Sequence, residues 1–419
     1  MASTTLRATP QHFRMLALSS DNYPPQRVDV TVLFGEELGG RGHRIDWILQ
    51  SEAACDRAYE IRWHGGTVWV GPTDLGNSFF HRIRKHVRGI LHDLSVFALV
   101  RRGSPDFVLV KDKFLSGVSA LVAARLFRRR FLYWLSYPFP ESYLIRARDG
   151  TARYPFLYRI RGWVFHVLLY RVLLRAAEHI FVQSDQMLRD VASQGIAESK
   201  MTAVPMGIRA ATFAVPESAE RHVIPQGDRC ILYLGTLIRV RRLAFLVRVL
   251  ALVTKELPAV KLYLVGSGDD PRDIQELTDE AARLSVAASL VLVGQVPHAQ
   301  ALRYVAEADV CVSPFFPTPI LNSTSPTKLV EYMAMGKAVV ANDHPEQRLV
   351  IAESGAGLCV AWDETAFAQA LLRLLRDPAL ARNMGERGRA WVLQHRTYDA
   401  IADLVERELL RVAQAERTP

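Results

Sequence analysis

A chain of 419 residues, 49% apolar and 23% charged, can bury two substantial cores and is neither fibrous nor disordered in composition. Four widely separated cysteines, Cys55, Cys230, Cys311 and Cys359, lack metal-ligand spacing and read as buried free thiols of a reducing compartment; the N-terminus lacks the apolar core of a secretion signal. The net charge of +9 comes from residues 1–205, where 28 Lys and Arg stand against 18 Asp and Glu, the rest carrying 24 against 25; an anionic partner is expected there, but the half lacks the interleaved aromatic–basic pattern of a nucleic-acid binder.

A polar tail runs to about Gln11. Phe13–Ser19 is predicted as a buried strand, the residues Asp21 to Pro25 as a turn-rich loop, Val28–Leu38 as a helix ended by Gly39-Gly40, and Arg44–Leu49 as the next strand. This is one βαβ unit. Glu60–Val70 reads as two short strands. His81–Arg101 reads as a helix with one basic side, Arg82, Arg84, Lys85 and Arg88. Phe107–Val110 is a strand that delivers Lys111, Asp112 and Lys113 at its carboxyl end, where ligands gather in open α/β sheets. After a helix over Leu115–Leu126, the strand Phe131–Leu135 delivers Ser136 to Glu141 on the same rim.

Asp112 and Glu141 are the catalytic candidates of this half, because each could take a proton from an acceptor hydroxyl. The plainer alternatives are that Asp112 pairs with its lysine neighbours and that Glu141 starts a helix. Trp163–Leu174 is apolar except for His166 and Arg171, with Arg159, Arg161 and Arg175 at its flanks. It is too short and too charged to cross a bilayer, which takes about 20 apolar residues. It suits either a core helix or a segment lying on an anionic membrane surface. Strand His179–Gln183, helix Asp185–Ser193 and strand Met201–Val204 follow, with a hinge expected near Pro205–Thr212.

The second half repeats the strand–helix rhythm: strands at Cys230–Leu234 and Lys261–Val265, then at Leu290–Val293 and Val310–Ser313, the last two each preceded by a helix. Gly235 ends the first of these strands, and Arg239 and Arg241 stand at the turn into helix Leu243–Lys255, an anion site by charge and geometry. Gly266 opens a weaker Gly-x-Gly turn on the same rim. Helices are expected at Phe367–Leu375 and Ala379–Arg411.

The most informative stretch is Ser325–Asp343, SPTKLVEYMAMGKAVVAND. Ser325 can cap a helix, with Pro326 at its first position and Gly336 as its stop, before the buried strand Ala338–Ala341. The helix start, with the Ser325–Thr327 backbone, Lys328 in the first turn and Leu329 beside it, favours phosphate. Glu331 stands further along, at the reach of ribose hydroxyls. A solvated amphipathic helix is the plainer alternative.

This stretch resembles the donor-binding segment of family 4 (group 1) glycosyltransferases, in the variant S-P-x-K-x-x-E. The resemblance implies the GT-B fold class: two Rossmann-like doubly wound parallel-sheet α/β domains facing across a cleft, with a C-terminal helix crossing back to the first domain. It divides the chain into an acceptor-binding domain over 1–208, a nucleotide-sugar-binding domain over 209–394 and a returning helix over 395–419. It implies a retaining transferase that uses a nucleotide-diphospho sugar and requires no metal and no other cofactor. Carried over by position, Lys328 and Arg241 hold the diphosphate, with Gly235, Arg239 and Gly266 beside it, and Glu331 holds the ribose. The chain departs from the family at several places: Pro24, Pro25 and Gln26 stand where the first loop usually has Gly-Gly, and Arg241 takes a lysine position. Ser323 stands where the family has its first, sugar-contacting glutamate; Thr236 replaces an arginine after Gly235; and the histidine expected near Ser136 is missing. The basic first half then suits a lipid-linked saccharide acceptor, a cytoplasmic enzyme at the inner face of the cell membrane, and a role in surface polysaccharide or glycolipid synthesis. Two other readings stand beside this one: a silent nucleotide-sugar-binding scaffold for another transferase, and a nucleotide-sugar epimerase.

Overall fold

Successive residues of the apolar run Met15–Leu18 point to opposite faces of a sheet, and both faces are buried. Met15 and Ala17 join one core, Leu16 and Leu18 the other. This is how a strand in the middle of a parallel sheet covered on both sides must read. The computed structural model describes residues 12–76, 78–150, 152–213 and 222–415. It places residues up to Pro205, together with those from Tyr398 on, in one unit and Met206–Thr397 in another.

The first unit carries eight strands: β1 (Arg14–Tyr23), β2 (Arg44–Ser51), β3 (Tyr59–Trp63), β4 (Gly66–Gly71), β5 (Phe107–Lys111), β6 (Arg130–Leu135), β7 (His179–Val182) and β8 (Met201–Ala203). Their order is β3-β4-β2-β1-β5-β6-β7-β8. All neighbours are parallel except the β3–β4 hairpin. The second unit carries β9 (Arg229–Leu234), β10 (Val260–Val265), β11 (Leu290–Gly294), β12 (Val310–Ser313), β13 (Val339–Asn342) and β14 (Gly357–Val360). They form an all-parallel sheet in the order β11-β10-β9-β12-β13-β14. The order reverses at β1/β5 in one sheet and at β9/β12 in the other. Ligands of doubly wound sheets bind at the carboxyl ends beside such reversals.

The last helix, Tyr398–Gln414, belongs to the first unit. It buries Ile401, Val405, Leu409 and Val412 in the core that also holds Val30, Leu33 and Phe34. Arg41 fastens its outer side through Asp399, Asp403 and Glu406, each at 2.7 Å.

Local departures from the sequence reading have identifiable causes. The residues expected as a loop from Asp21 extend β1 to Tyr23, because the Asp21 side chain is drawn in by Lys111 at 2.8 Å. Asp29–Leu38 winds as a π-helix. The single helix expected over His81–Arg101 is two, Phe79–Asp93 and Val96–Gly103. Asp93 is pulled inward there by Lys113 at 2.8 Å and by the Ser116 hydroxyl at 2.5 Å. The helix expected over Ala379–Arg411 is also two, Pro378–His395 and Tyr398–Gln414. The break falls at Arg396, which turns in to meet buried Glu346 at 2.7 Å. Of Trp163–Leu174, Leu169, Tyr170, Leu173 and Leu174 are core. The exposed apolar side lies earlier, at Tyr154, Phe156, Leu157, Ile160 and Trp163. No helix among the described residues is long and apolar enough to cross a membrane.

Candidate functional site: an anion cradle in the second unit and a charged rim in the first

The strand ends of the second unit are built for close backbone approach. Gly235, just past β9, has φ +145°, and Gly266, just past β10, has φ +139°. A side chain at Gly266 would begin 2.0 Å from the Gly235 carbonyl oxygen, and one at Gly235 would begin 2.8 Å from the Lys328 Nζ. Only glycine fits either position.

Lys328 reaches this point from the first turn of the helix Thr327–Ala334. Its ammonium lies 5.0 Å from the Tyr233 ring centre and 5.7 Å from that of Phe315. The Arg241 guanidinium lies 5.2 Å from the Phe315 ring centre. Two cations therefore share one aromatic ring, that of Phe315. Neither has a hydrogen-bonded acid among the described residues, and the buried Arg241 Nε has no acceptor there. Lys328 is recessed but keeps some surface open to solvent. Burial, with Arg241 adding like-charge repulsion and Glu331 opposing it, pushes its ammonium down to about 7. A pair of unneutralised cations held on rings is a receptacle for a dianion.

The helix start completes it. The sequence reading makes Ser325 the cap and Pro326 the first helical residue. In the structure Pro326 is the cap residue, with extended backbone, and Ser325 instead accepts a hydrogen bond from the Met206 N–H at 3.0 Å. Among the described residues no side chain caps the helix, so its first N–H groups, from Thr327 on, remain available to a ligand. Leu329 contributes only its backbone, since its side chain is core. Glu331 lies one turn beyond Lys328, half-buried, with no hydrogen-bond partner for its carboxylate among the described residues. Burial raises its pKa, against the pull of Lys328 and His298. Tyr332 locks the helix to β9 by accepting from the Leu234 N–H at 2.8 Å.

Arg239 does not join the cradle. It is exposed and paired with Glu276 at 3.1 Å. Ser323 is buried, its hydroxyl donating to the Pro319 carbonyl at 3.3 Å. Sequence reasoning missed Tyr233 and Phe315, the rings that seat the cations. It also missed Asn342, which clamps Phe315 by accepting from its N–H at 2.6 Å and donating to its carbonyl at 2.8 Å. The one available signal was the aromatic pair Phe315-Phe316, one proline after the end of β12. Arg242 lies over the second of these rings at 3.8 Å.

In the first unit the carboxyl ends of β1, β5 and β6 hold a buried network of charge. Lys111, with no exposed side chain, meets Asp21 at 2.8 Å and Asp29 at 3.4 Å. Arg27 meets Asp29 at 3.1 Å, lies 3.8 Å from Asp112 and donates to the Ser136 hydroxyl at 2.9 Å. Asp112, at φ +54°, accepts from the Ser136 N–H at 2.9 Å and from the Ser136 hydroxyl. Burial raises its pKa, opposed by Lys111 and Ser136. Asp112 does not pair with Lys113, which is held by Asp93. Glu141 sits in the first turn of the helix Phe139–Arg148, 3.5 Å from His166 Nδ1. It lies beside Tyr170, whose hydroxyl is pushed up by burial and by this carboxylate. Asp112 is thus tied to Ser136, whereas the buried Glu141 Oε2 has no hydrogen-bond partner among the described residues. Arg27, Asp21, Asp29 and Lys111 went unrecognised because their partners lie far away in sequence. Lys111 ending an otherwise apolar strand was the only clue.

Two family models match, the "Glycosyl transferase 4-like domain" over residues 28–207 and "Glycosyl transferases group 1" over residues 228–377. The chain belongs to the group 1 glycosyltransferases. Among its curated relatives is a phosphatidyl-myo-inositol mannosyltransferase of Mycolicibacterium smegmatis. It is 32% identical over 179 residues, which cover 42% of this glycosyltransferase and 43% of the relative. An alpha-monoglucosyldiacylglycerol synthase of Streptococcus pneumoniae is 23% identical over 229 residues, 52% of this chain and 50% of that one. The alignments thus span about half the length of these relatives. The sucrose-phosphate synthase of Thermosynechococcus elongatus superposes with a TM-score of 0.70 at 21% identity, over 96% of this chain and all of that one. The glycosyltransferase has the GT-B fold class, with one parallel-sheet α/β domain in each unit. Among its described residues no group of three His, Cys, Asp or Glu is placed to hold a metal ion.

Proposed function

We propose that this glycosyltransferase moves a sugar, with retention of configuration, from a nucleotide-diphospho sugar to a lipid-linked saccharide in surface polysaccharide or glycolipid synthesis. The observation that carries the reading is the pair Lys328–Arg241 at the helix start, with the carboxylate of Glu331 one turn on, none of the three with a hydrogen-bonded partner of opposite charge among the described residues. The diphosphate bridges the two cations and the first N–H groups of the helix, and Glu331 accepts from the ribose hydroxyls. As the bond from the anomeric carbon to the phosphate oxygen lengthens, negative charge builds on the diphosphate. Lys328 and Arg241 stabilise it there, the part a divalent metal would otherwise play. The acceptor oxygen forms the new bond to that carbon, and its proton passes to the departing phosphate oxygen. Departure and attack on one face retain configuration. Neither Asp112, engaged by its neighbours, nor Glu141 is required as a base.

The lipid side rests on two observations. By their names, one relative is a mannosyltransferase of phosphatidyl-myo-inositol and the other makes a monoglucosyldiacylglycerol. The first unit also presents exposed apolar residues between cations: Phe80, Ile83, Val87 and Leu91 with Arg84 and Lys85, and Phe156, Leu157, Ile160 and Trp163 with Arg159 and Arg161. That combination suits the anionic inner face of the cell membrane. The test is transfer of labelled sugar from UDP-, GDP-, ADP- or dTDP-sugars to a membrane lipid extract, with and without EDTA. A lipid product that persists in EDTA, absent with Glu331→Ala, supports the reading. Hydrolysis or no turnover with every donor contradicts it. A silent scaffold is the second reading, favoured by buried Ser323 at the sugar-contact position. Donor binding without transfer to any acceptor would establish it.

A further inference from the structure

The opposite edge of the first unit's sheet carries a second concentration of charge. Arg130 begins β6, His179 begins β7, and Lys200 immediately precedes β8. At these amino ends opens a cavity of about 850 Å³. Among its described lining residues are seven cations and one carboxylate, Glu178. With about 3.3 Å of rise per residue, the length of β6 puts this edge roughly 20 Å from the Asp112–Ser136 rim. The cavity is therefore separate from that rim, and it belongs wholly to the first unit.

Four of the cations are tied to the protein. Arg130 donates to the Val412 carbonyl and, at 2.7 Å, to the Ala415 carbonyl, closing the negative end of the last helix. Lys200 reaches the Arg175 and Ala177 carbonyls at 3.5 and 3.4 Å. Arg125 takes the Ala176 carbonyl at 2.8 Å and approaches Glu178 at 3.5 Å. Arg411 is paired with Glu408 at 2.8 Å. Glu178 itself is engaged by the Phe131 N–H at 2.7 Å. Arg128, Arg129 and Arg175 remain. None has an acidic partner among the described residues, and the buried Arg129 Nε has no acceptor there. A folded protein rarely leaves a buried guanidinium N–H unpaired, and it gains nothing from concentrating like charges around a void.

We propose that this cavity binds a phosphate-bearing anion of two or more charges, held by Arg128, Arg129 and Arg175, at a site distinct from the donor cradle. Guanidinium forks match phosphate oxygens in pairs, and the tied cations supply the surrounding positive field. Because the last helix forms part of the wall through Val412 and Ala415, the ligand also fastens that helix to the sheet. A soluble oligophosphate and a phospholipid headgroup share this chemistry.

The test uses the full-length protein in three forms: wild type, the donor-site variant Lys328→Met/Arg241→Gln, and the cavity variant Arg128→Gln/Arg129→Gln/Arg175→Gln. Inorganic triphosphate is titrated calorimetrically at physiological salt, and flotation is measured on vesicles containing phosphatidic acid. Triphosphate binding that survives in the donor-site variant and weakens at least tenfold in the cavity variant supports a soluble ligand. Flotation that falls at least tenfold in the cavity variant and is competed by triphosphate supports a headgroup. Equal affinity in wild type and cavity variant in both arms overturns the proposal. So does loss of triphosphate binding in the donor-site variant alone. Should the triple variant fold poorly, Arg175→Gln alone, at an exposed position, is expected to weaken whichever interaction is present at least threefold; no change overturns the proposal.

Discussion

The Lys328 ammonium occupies the space that any side chain at Gly235 would enter, 2.8 Å from where its Cβ would lie. The glycine at the end of β9 and the lysine at the start of a helix 93 residues later are thus parts of one device. Gly235→Ala must displace Lys328 and also adopt φ +145°, a region alanine avoids. Donor affinity is expected to fall at least tenfold, about 1.4 kcal/mol, with the second unit still folded by circular dichroism. Unchanged donor affinity would separate Lys328 from the diphosphate.

Lys328 gives donor binding a pH signature. Its ammonium titrates near 7 in the free protein because it is buried beside Arg241. A bound diphosphate favours the charged form. Below about pH 7 the lysine is already charged and affinity should be flat. Above that, binding must take up a proton, and Kd should weaken toward about tenfold per pH unit. Calorimetry in buffers of different ionisation enthalpy at pH 8 should register uptake of close to one proton, and Lys328→Met should abolish it.

The same lysine should cost stability. Its folded value lies below the 10.5 of an ordinary lysine, so between about pH 7 and that value the unfolded chain binds more protons. Stability of the unliganded protein from this group therefore rises with pH across the window. Lys328→Met removes the buried charge and keeps the volume. It is expected to raise the melting temperature of the unliganded second unit by roughly 2–4 °C, on the order of 1 kcal/mol, while donor binding is lost. A lower melting temperature would show that the cations are structural.

Asp112 and Lys111 should behave as framework. Asparagine tolerates left-handed backbone and can still accept from the Ser136 N–H, so Asp112→Asn should keep activity within several-fold. A proton-accepting carboxylate would instead show a loss of about 10²–10⁴ in kcat. Lys111→Ala leaves Asp21 and Asp29 with Arg27 as their one cation among the described residues, 3.9 and 3.1 Å away, and should cost about 3–5 kcal/mol, seen as a lowered denaturation midpoint of the first unit.

The sequence pattern carried the architecture well, because strands such as Val108–Val110 and Val310–Val312 are buried on both faces and read as unbroken apolar runs bounded by turn residues. It also placed Gly235, Arg241, Lys328 and Glu331 in one half, since spacing along a helix and glycines at strand ends are local signals. What it could not reach were pairings across distance. Asn342 holds Phe315 from 27 residues away, and Lys111 meets Asp21 across 90. Arg239 and Arg241 are chemically alike and two residues apart. Only the turn geometry decides that one faces Phe315 and the other Glu276. Helix ends failed for the same reason: Asp93 and Arg396 turn inward to partners that no window of sequence contains.

The most direct test of the donor cradle is a thermal-shift panel of UDP-, GDP-, ADP- and dTDP-sugars on wild type, Glu331→Ala and Arg241→Gln. Ligand binding stabilises by mass action. The account predicts that one nucleotide class raises the wild-type melting temperature and that both variants lose the shift. A shift retained in full by both variants, or none with any nucleotide, would contradict it.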